Sequence, residues 1–415
     1  MSIDINIDNN WIKSEKEGKK MAVFKEIIQE KAKQYAEQIV EWRRHFHENP
    51  ELSGEEVETS KYIQEQLTNM GIPFNANVFQ YAVIGEIKGA HPGKTVALRA
   101  DMDALPVTEQ TGLPFASKNT GKMHACGHDS HMAILLGAAA VLNSIKDQLH
   151  GTVKLVFQPA EESGTIRGAY HIVETGVLEG VEEIFGLHVW PDLPVSTVGL
   201  RKGNLMAASD RFDVHIKGKA THGAMPHLGT DAIVAAANWI VTVQSIVARE
   251  TDPMENLVCT IGTFKSGERY NVGAENAYLE GTCRTYNPAK RDYIENRLIE
   301  SLKALDLMFG TTSVIDYQRG HSATINDADS IDYLTKVGTE YLGEEAIVHP
   351  EVPAMTAEDF SAYLNKYKGA FIWLGTGYEG NPALHHNKFA IDESVLQIGV
   401  TLMSGAIAEL LVGEQ

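Results

Sequence analysis

The spacing of apolar positions changes period along this chain, and the change divides it into two regions. From Phe24 to His47 apolar residues recur at helical spacing (Ile27, Ala32, Ala36, Ile39, Val40), and Pro50 ends the segment. His45 and His47, at the end of that helix, are expected to serve a surface or dipole-pairing role. Short apolar runs at Val96–Leu98, Val153–Phe157, Ile184–Leu187 and Phe371–Leu374 predict buried strands. Lys61–Met70, Met132–Ile145 and Ile172–Thr175 lie between them with helical character. The alternation predicts an α/β fold whose larger domain has a mixed, mainly parallel sheet flanked by helices. In the middle of the chain, Ser209–Lys217 alternates apolar and polar, and Asp231–Arg249 reads as a helix. Strands at Leu257–Phe264 and Ala277–Thr285, a helix at Arg291–Leu307 and a strand near Ser313–Tyr317 follow. That order predicts an inserted ferredoxin-like α+β domain. The expected boundaries are a flexible leader at 1–20, the larger domain over 21–200 and 318–415, and the insertion over 201–317.

Composition narrows the class. A chain of 415 residues exceeds one ordinary core, and its 43% hydrophobic content supports packed interiors. A formal charge of -19 argues against nucleic acid or an anionic membrane as partner. No apolar stretch reads as long enough to span a bilayer, and the Met1 end lacks a signal-peptide core. Cys126, Cys259 and Cys283 are an odd number without framework spacing, which suits a reducing compartment. A cytoplasmic location is expected.

Candidate chemistry concentrates in His124-Ala-Cys-Gly-His-Asp-Ser-His131, where three imidazoles, a thiol and a carboxylate share eight positions. Such donors suit zinc, or a neighbouring divalent ion such as manganese, cobalt or nickel. The bland alternative is a capped helix start leading into the apolar Ala133–Leu142 run. The placing of other donors favours the metal. In open α/β sheets chemistry gathers beyond the carboxyl ends of strands. Here Asp101 and Asp103 follow one predicted strand, Glu161 and Glu162 a second and His188 a third, while His385 and His386 lie in the loop after a fourth. Adjacent glutamates are common on solvated loops. A metallohydrolase, however, needs one carboxylate as ligand and another to take a proton from activated water, and consecutive residues on an extended loop point in different directions.

Six motifs in order carry a resemblance over about Ile39 to Val400: Arg99-Ala-Asp-Met-Asp-Ala-Leu-Pro106, His124-Ala-Cys-Gly-His-Asp129, Gln158-Pro-Ala-Glu-Glu162, Gly186-Leu-His-Val189, Thr221-His-Gly-Ala-Met-Pro-His227 and Leu384-His-His386. Together they resemble the aminoacylase/carboxypeptidase-G type of dinuclear metallopeptidases. The closer likeness is to the amidohydrolase branch of hippurate hydrolases, auxin-conjugate hydrolases and N-acetyl-amino-acid deacetylases. The resemblance implies two divalent metal ions per chain, manganese or zinc first and cobalt or nickel next. It implies Cys126, His128, Glu162, His188 and His385 as ligands, with Cys126 bridging. Glu161 would be the general base and acid, and Asp103 would orient a ligand from behind. His222, Asn271 and Arg284 would bind substrate. The larger domain becomes the catalytic metal-binding domain, and the insertion a lid or dimerisation domain of a homodimer or tetramer.

Three departures stand out. Glu162-Ser-Gly-Thr-Ile-Arg-Gly168 is poorer in glycine than usual, Asn271-Val-Gly-Ala replaces Asn-Val-Ile-Pro, and Asn387 stands where proline often follows the last histidine. His385 and His386 therefore both remain open, with the spacing Leu-His-x-x-x-Phe favouring His385.

The implied activity is metal-dependent hydrolysis of the amide bond of small N-acyl amino acids, with Glu161 activating water. A metallo-dipeptidase or aminopeptidase is the alternative. A thiol hydrolase using Cys126 would leave the glutamate pair and His188 unexplained. A non-catalytic metal-binding scaffold would need no unligated glutamate.

Overall fold

The computed structural model describes residues 24–76 and 78–412, so the expected leader at 1–20 lies outside the described residues. The chain divides into two compact units. The larger comprises the described residues of Met1–Gly203, Asn326–Glu351 and Ala362–Gln415, and the smaller Asn204–Ile325 and Val352–Ser361.

Four parallel strands make the heart of the larger sheet, in the spatial order His150–Gln158, His91–Asp101, Val181–Pro194, Lys368–Gly377. Each extends one of the four apolar runs. Val83–Lys88 adds antiparallel to His150–Gln158, which makes the sheet mixed. Its Val83, Ile84 and Ile87 are buried. Interior strands covered on both faces must be apolar on both, and Leu155, Val156 and Phe157 are all fully buried. Among the covering helices, His128–Ser144 is buried from His128 to Leu142. An apolar surface running all round a helix leaves it no solvent face, so it becomes a core element. Ser394–Leu410 and Ala36–Glu48 pack on it. The predicted first helix is interrupted. Residues 24–34 are helical, a turn intervenes at Tyr35, and Ala36–Glu48 resumes.

The smaller unit is built on a four-stranded antiparallel sheet. Its order is Leu257–Ser266, Asn276–Thr285, Ala208–Lys217, Thr312–Arg319, which is the 2-3-1-4 arrangement of the ferredoxin-like pattern. Helix Ala232–Glu250 begins where Asp231 accepts from the N–H of Ile233, and Pro288–Phe309 begins beneath the Asn287 cap and ends at left-handed Gly310. The unit also recruits 352–361, which the sequence placed with the other domain. Ala354 N–H donates to Leu205 O and Ala207 N–H to Thr356 O, interlocking that segment with the strand-like 204–207 stretch.

One expectation needs correction. By length and composition, Ala232–Glu250 is long and apolar enough to cross a membrane. Its Ala232, Ala235, Ala236, Trp239, Val243 and Ile246 are buried in the core of the smaller unit.

Candidate metal centre

The strand ends of the larger unit bring the sequence-distant donors together. Cys126 Sγ lies 3.4 Å from His188 Nε2 and 3.3 Å from His385 Nε2. His385 Nε2 is 3.4 Å from Glu162 Oε1, and His128 Nε2 is 4.0 Å from the same oxygen. Of the donor triads among the described residues whose atoms lie within 4.8 Å of one another, two contain Cys126, namely Cys126/His128/His188 and Cys126/Glu162/His385, and a neighbouring one joins His128 to Glu161 and Glu162. His386 points elsewhere: its Nδ1 accepts from Lys388 N–H.

Local backbone geometry sets these positions. Gly127 takes φ +85° at the helix start, which lets Cys126 and His128 flank a left-handed turn. His385 is itself left-handed at φ +64°, and its N–H donates to Ala125 O, tying its loop to the Cys126 loop. Both buried histidines are oriented from behind. His128 Nδ1 donates to Asp103 O at 2.8 Å and His188 Nδ1 to Val189 O at 2.6 Å, so in the neutral ring the lone pair sits on Nε2 and faces the thiol side. Asp103 also accepts from the N–H groups of Glu161 and Glu162, at 3.1 and 2.9 Å, and from Ser53 Oγ at 2.6 Å.

The site calls for positive charge. Burial opposes charging His128, yet Asp101, Asp103 and Glu162 outweigh it and raise the imidazolium to about 10. Burial, and then the charges of Glu162, Glu161 and Asp101, push the Cys126 thiol far up. Buried His128 Nε2 and Glu162 Oε1 have no hydrogen-bond partner among the described residues. A soft thiolate, imidazoles and a carboxylate around one sulfur fit divalent transition-metal ions, which would supply the missing charge.

Buried residues behind the proposed ligands complete the site. Asp101 is fully buried; it accepts from Arg99 Nη1 at 2.7 Å and pairs with His131 Nδ1 at 2.6 Å. His131 Nε2 in turn accepts from Val189 N–H at 2.9 Å, which pins His188 within strand Val181–Pro194, a strand that runs on past the end expected from the sequence. The signal was present, since His131 sits at i+3 from His128 on one helix face. His47 departs from the expected surface role. It is 1% exposed, with Nδ1 2.7 Å from Asp129 and Nε2 3.2 Å from Glu109, because Asp129 and Arg43 form a buried ion pair beside it. His45 instead stacks on Tyr62 at 3.6 Å.

In the smaller unit, His222 is exposed and pairs in register with Val272, and Gly223 N–H donates to Asn271 O, so His222 and Asn271 are neighbours. Asn271 Oδ1 is buried without a hydrogen-bond partner among the described residues. Arg284 sits on the strand opposite Ser209 and Val258, half-buried, with Nη1 donating to Thr282 Oγ1.

A pair of donor triads sharing one sulfur at the strand ends of an α/β sheet defines a metallohydrolase-type centre. The model of Peptidase family M20/M25/M40 matches residues 97–409, and the chain belongs to that family. It is a hydrolase of amide bonds. The N-acetyl-L-cysteine deacetylase of Bacillus subtilis is 40% identical over 359 residues, spanning 86% of this chain and 85% of that protein. Thermostable carboxypeptidase 1 of Saccharolobus solfataricus is 38% identical over 89% of this chain and 95% of its own length. Among solved structures, a dinuclear metal-binding M20 peptidase of Bacillus subtilis superposes with a TM-score of 0.81 at 36% identity, covering 91% of this chain and 99% of that one.

Proposed function

We propose that this protein hydrolyses the amide bond of small N-acyl amino acids with two divalent ions, manganese or zinc, held by Cys126, His128, Glu162, His188 and His385. The observation that carries the reading is the shared sulfur: Cys126 lies in two donor triads, so its thiolate would be in reach of either ion. Such ions supply Lewis acidity, which brings the ionisation of water down to near neutral pH. Glu161 does the proton work. Its N–H is anchored to Asp103, the residue is buried, and it would take the proton of the attacking water and return it to the departing amine. Arg284 offers a two-pronged donor for the substrate's carboxylate, and His222 and Asn271 offer a donor and an amide for its carbonyl and acyl groups. The deacetylase relative supports the N-acyl class, and the carboxypeptidase relative favours the second reading, a peptidase of short peptides.

A homodimer or tetramer fits the smaller unit, whose edge strand Leu257–Ser266 leaves Val258 and Phe264 38% and 42% exposed. The net charge of -19 and the three free cysteines suit a cytoplasmic setting without nucleic acid or membrane as partner.

The test is to assay manganese-loaded protein against N-acetyl, N-benzoyl and indoleacetyl amino acids beside plain dipeptides, together with Glu161→Gln. We expect N-acyl hydrolysis and a loss of roughly 100-fold or more in kcat for Glu161→Gln with metal retained. Rapid dipeptide cleavage without any N-acyl hydrolysis overturns the substrate class. Full activity of metal-loaded Glu161→Gln overturns the role of Glu161.

A further inference from the structure

Glu56 is fully buried just ahead of helix Val57–Asn69, far in sequence from the proposed ligands and from Glu161. Its Oε1 accepts from the N–H of Ala160 at 2.8 Å, across 104 positions of chain. Ala160 is a left-handed, non-glycine residue at φ +57°, a backbone state L side chains adopt at a cost. The next two N–H groups, of Glu161 and Glu162, both donate to Asp103. Three consecutive backbone donors are therefore held by two buried carboxyl groups from outside the loop.

The consequence is geometric. The N–H of Ala160 belongs to the peptide plane before its Cα, and the N–H of Glu161 to the plane after it. Fixing both planes fixes φ and ψ of Ala160, and with them the direction in which Glu161 leaves the chain. Asp103 supplies only the second anchor. Gly168 supports the same turn from below, its N–H donating to Ala160 O at 3.3 Å, but a carbonyl contact on the far side does not orient the first plane.

We propose that Glu56 is a positioning residue for the proton carrier: by accepting the Ala160 N–H it holds the left-handed turn that aims Glu161. The inference rests on the role given to Glu161 above. Glu56 acts here as a hydrogen-bond acceptor and needs no charge. Its other oxygen, Oε2, is buried without a hydrogen-bond partner among the described residues, so the Ala160 N–H is the contact that Oε1 is placed to make. Burial, and then the neighbouring Asp103 charge, raise its carboxyl to about 8.

The experiment compares Glu56→Met, which fills the space without a strong acceptor, with Glu56→Gln, which keeps the acceptor. The full-length manganese-loaded protein is used with whichever substrate of the panel above it cleaves fastest, N-acyl amino acid or dipeptide. We expect Glu56→Met to lose about 10- to 100-fold in kcat, with KM within about 2-fold and metal content equal to the parent, and Glu56→Gln to recover kcat to within about 3-fold. Should Glu56→Met fail to fold, Glu56→Asp, one methylene too short to reach, is read in its place with the same expectation. Parental kcat in the folded, metal-loaded Met or Asp variant overturns the proposal, as does a Gln variant no better than Met. If Glu161→Gln is inactive while Glu56→Met is not, this inference alone fails; if Glu161→Gln is active, the reading beneath it fails as well.

Discussion

Gly127→Ala tests how far the centre depends on one left-handed residue. Two separate costs are legible. A Cβ at φ +85° is strained whatever the surrounding space, at roughly 1–2 kcal/mol. That Cβ would also overlap Cγ2 of Val189, the fully buried, β-branched neighbour of His188, which has little rotamer freedom to yield. Overpacking of this kind costs roughly 1–3 kcal/mol, so the expected destabilisation is about 2–5 kcal/mol. Gly121 isolates the first cost. Its φ is +82° and nothing lies within 4 Å of its Cβ, so Gly121→Ala should lose only about 1–2 kcal/mol. Urea unfolding of both metal-free variants, read by far-UV circular dichroism, measures the difference. Relief of the clash would push Val189 and His188 away from Cys126, so Gly127→Ala should also bind manganese more weakly by calorimetry while Gly121→Ala binds as the parent does. Equal stability of the two variants, together with parental metal affinity, would refute the reasoning.

Two further outcomes follow from buried charge. Glu56 keeps its proton in the folded protein up to about pH 8, whereas the unfolded chain releases it near 4.5. Between those values the native state binds more protons, so stability falls as pH rises, by up to roughly 1.4 kcal/mol per pH unit. Glu56→Gln removes that contribution, and urea titrations at pH 5, 7 and 9 should show parent minus variant stability declining with pH; a flat difference contradicts it. Arg43→Met removes the partner of Asp129, to which Arg43 Nε donates at 2.9 Å with both side chains buried, and should cost roughly 3–5 kcal/mol in the same assay. A cost below about 1 kcal/mol would mean that His47, also bonded to Asp129, suffices to hold it.

Much of this protein was decided along the chain itself. Apolar runs a few residues long specify the four central strands, because a strand buried on both faces has no freedom to be polar. The same runs lead towards Asp101, Glu161 and His188, so local order alone marks where donors gather. Other features exist only in three dimensions. Glu56 reaches Ala160 across 104 positions, Arg43 reaches Asp129 across 86, and His131 turns to Asp101 across 30. None of these pairs has a spacing that periodicity can detect. Burial makes each partner indispensable, since a buried polar group must find its complement wherever the fold brings one. The paired glutamates were visible as candidates, but which way they face depends on carboxyl groups delivered from other parts of the larger unit. Composition and pattern determined that donors line the strand ends; only tertiary packing decided that a single sulfur, Cys126, belongs to both sets of donors.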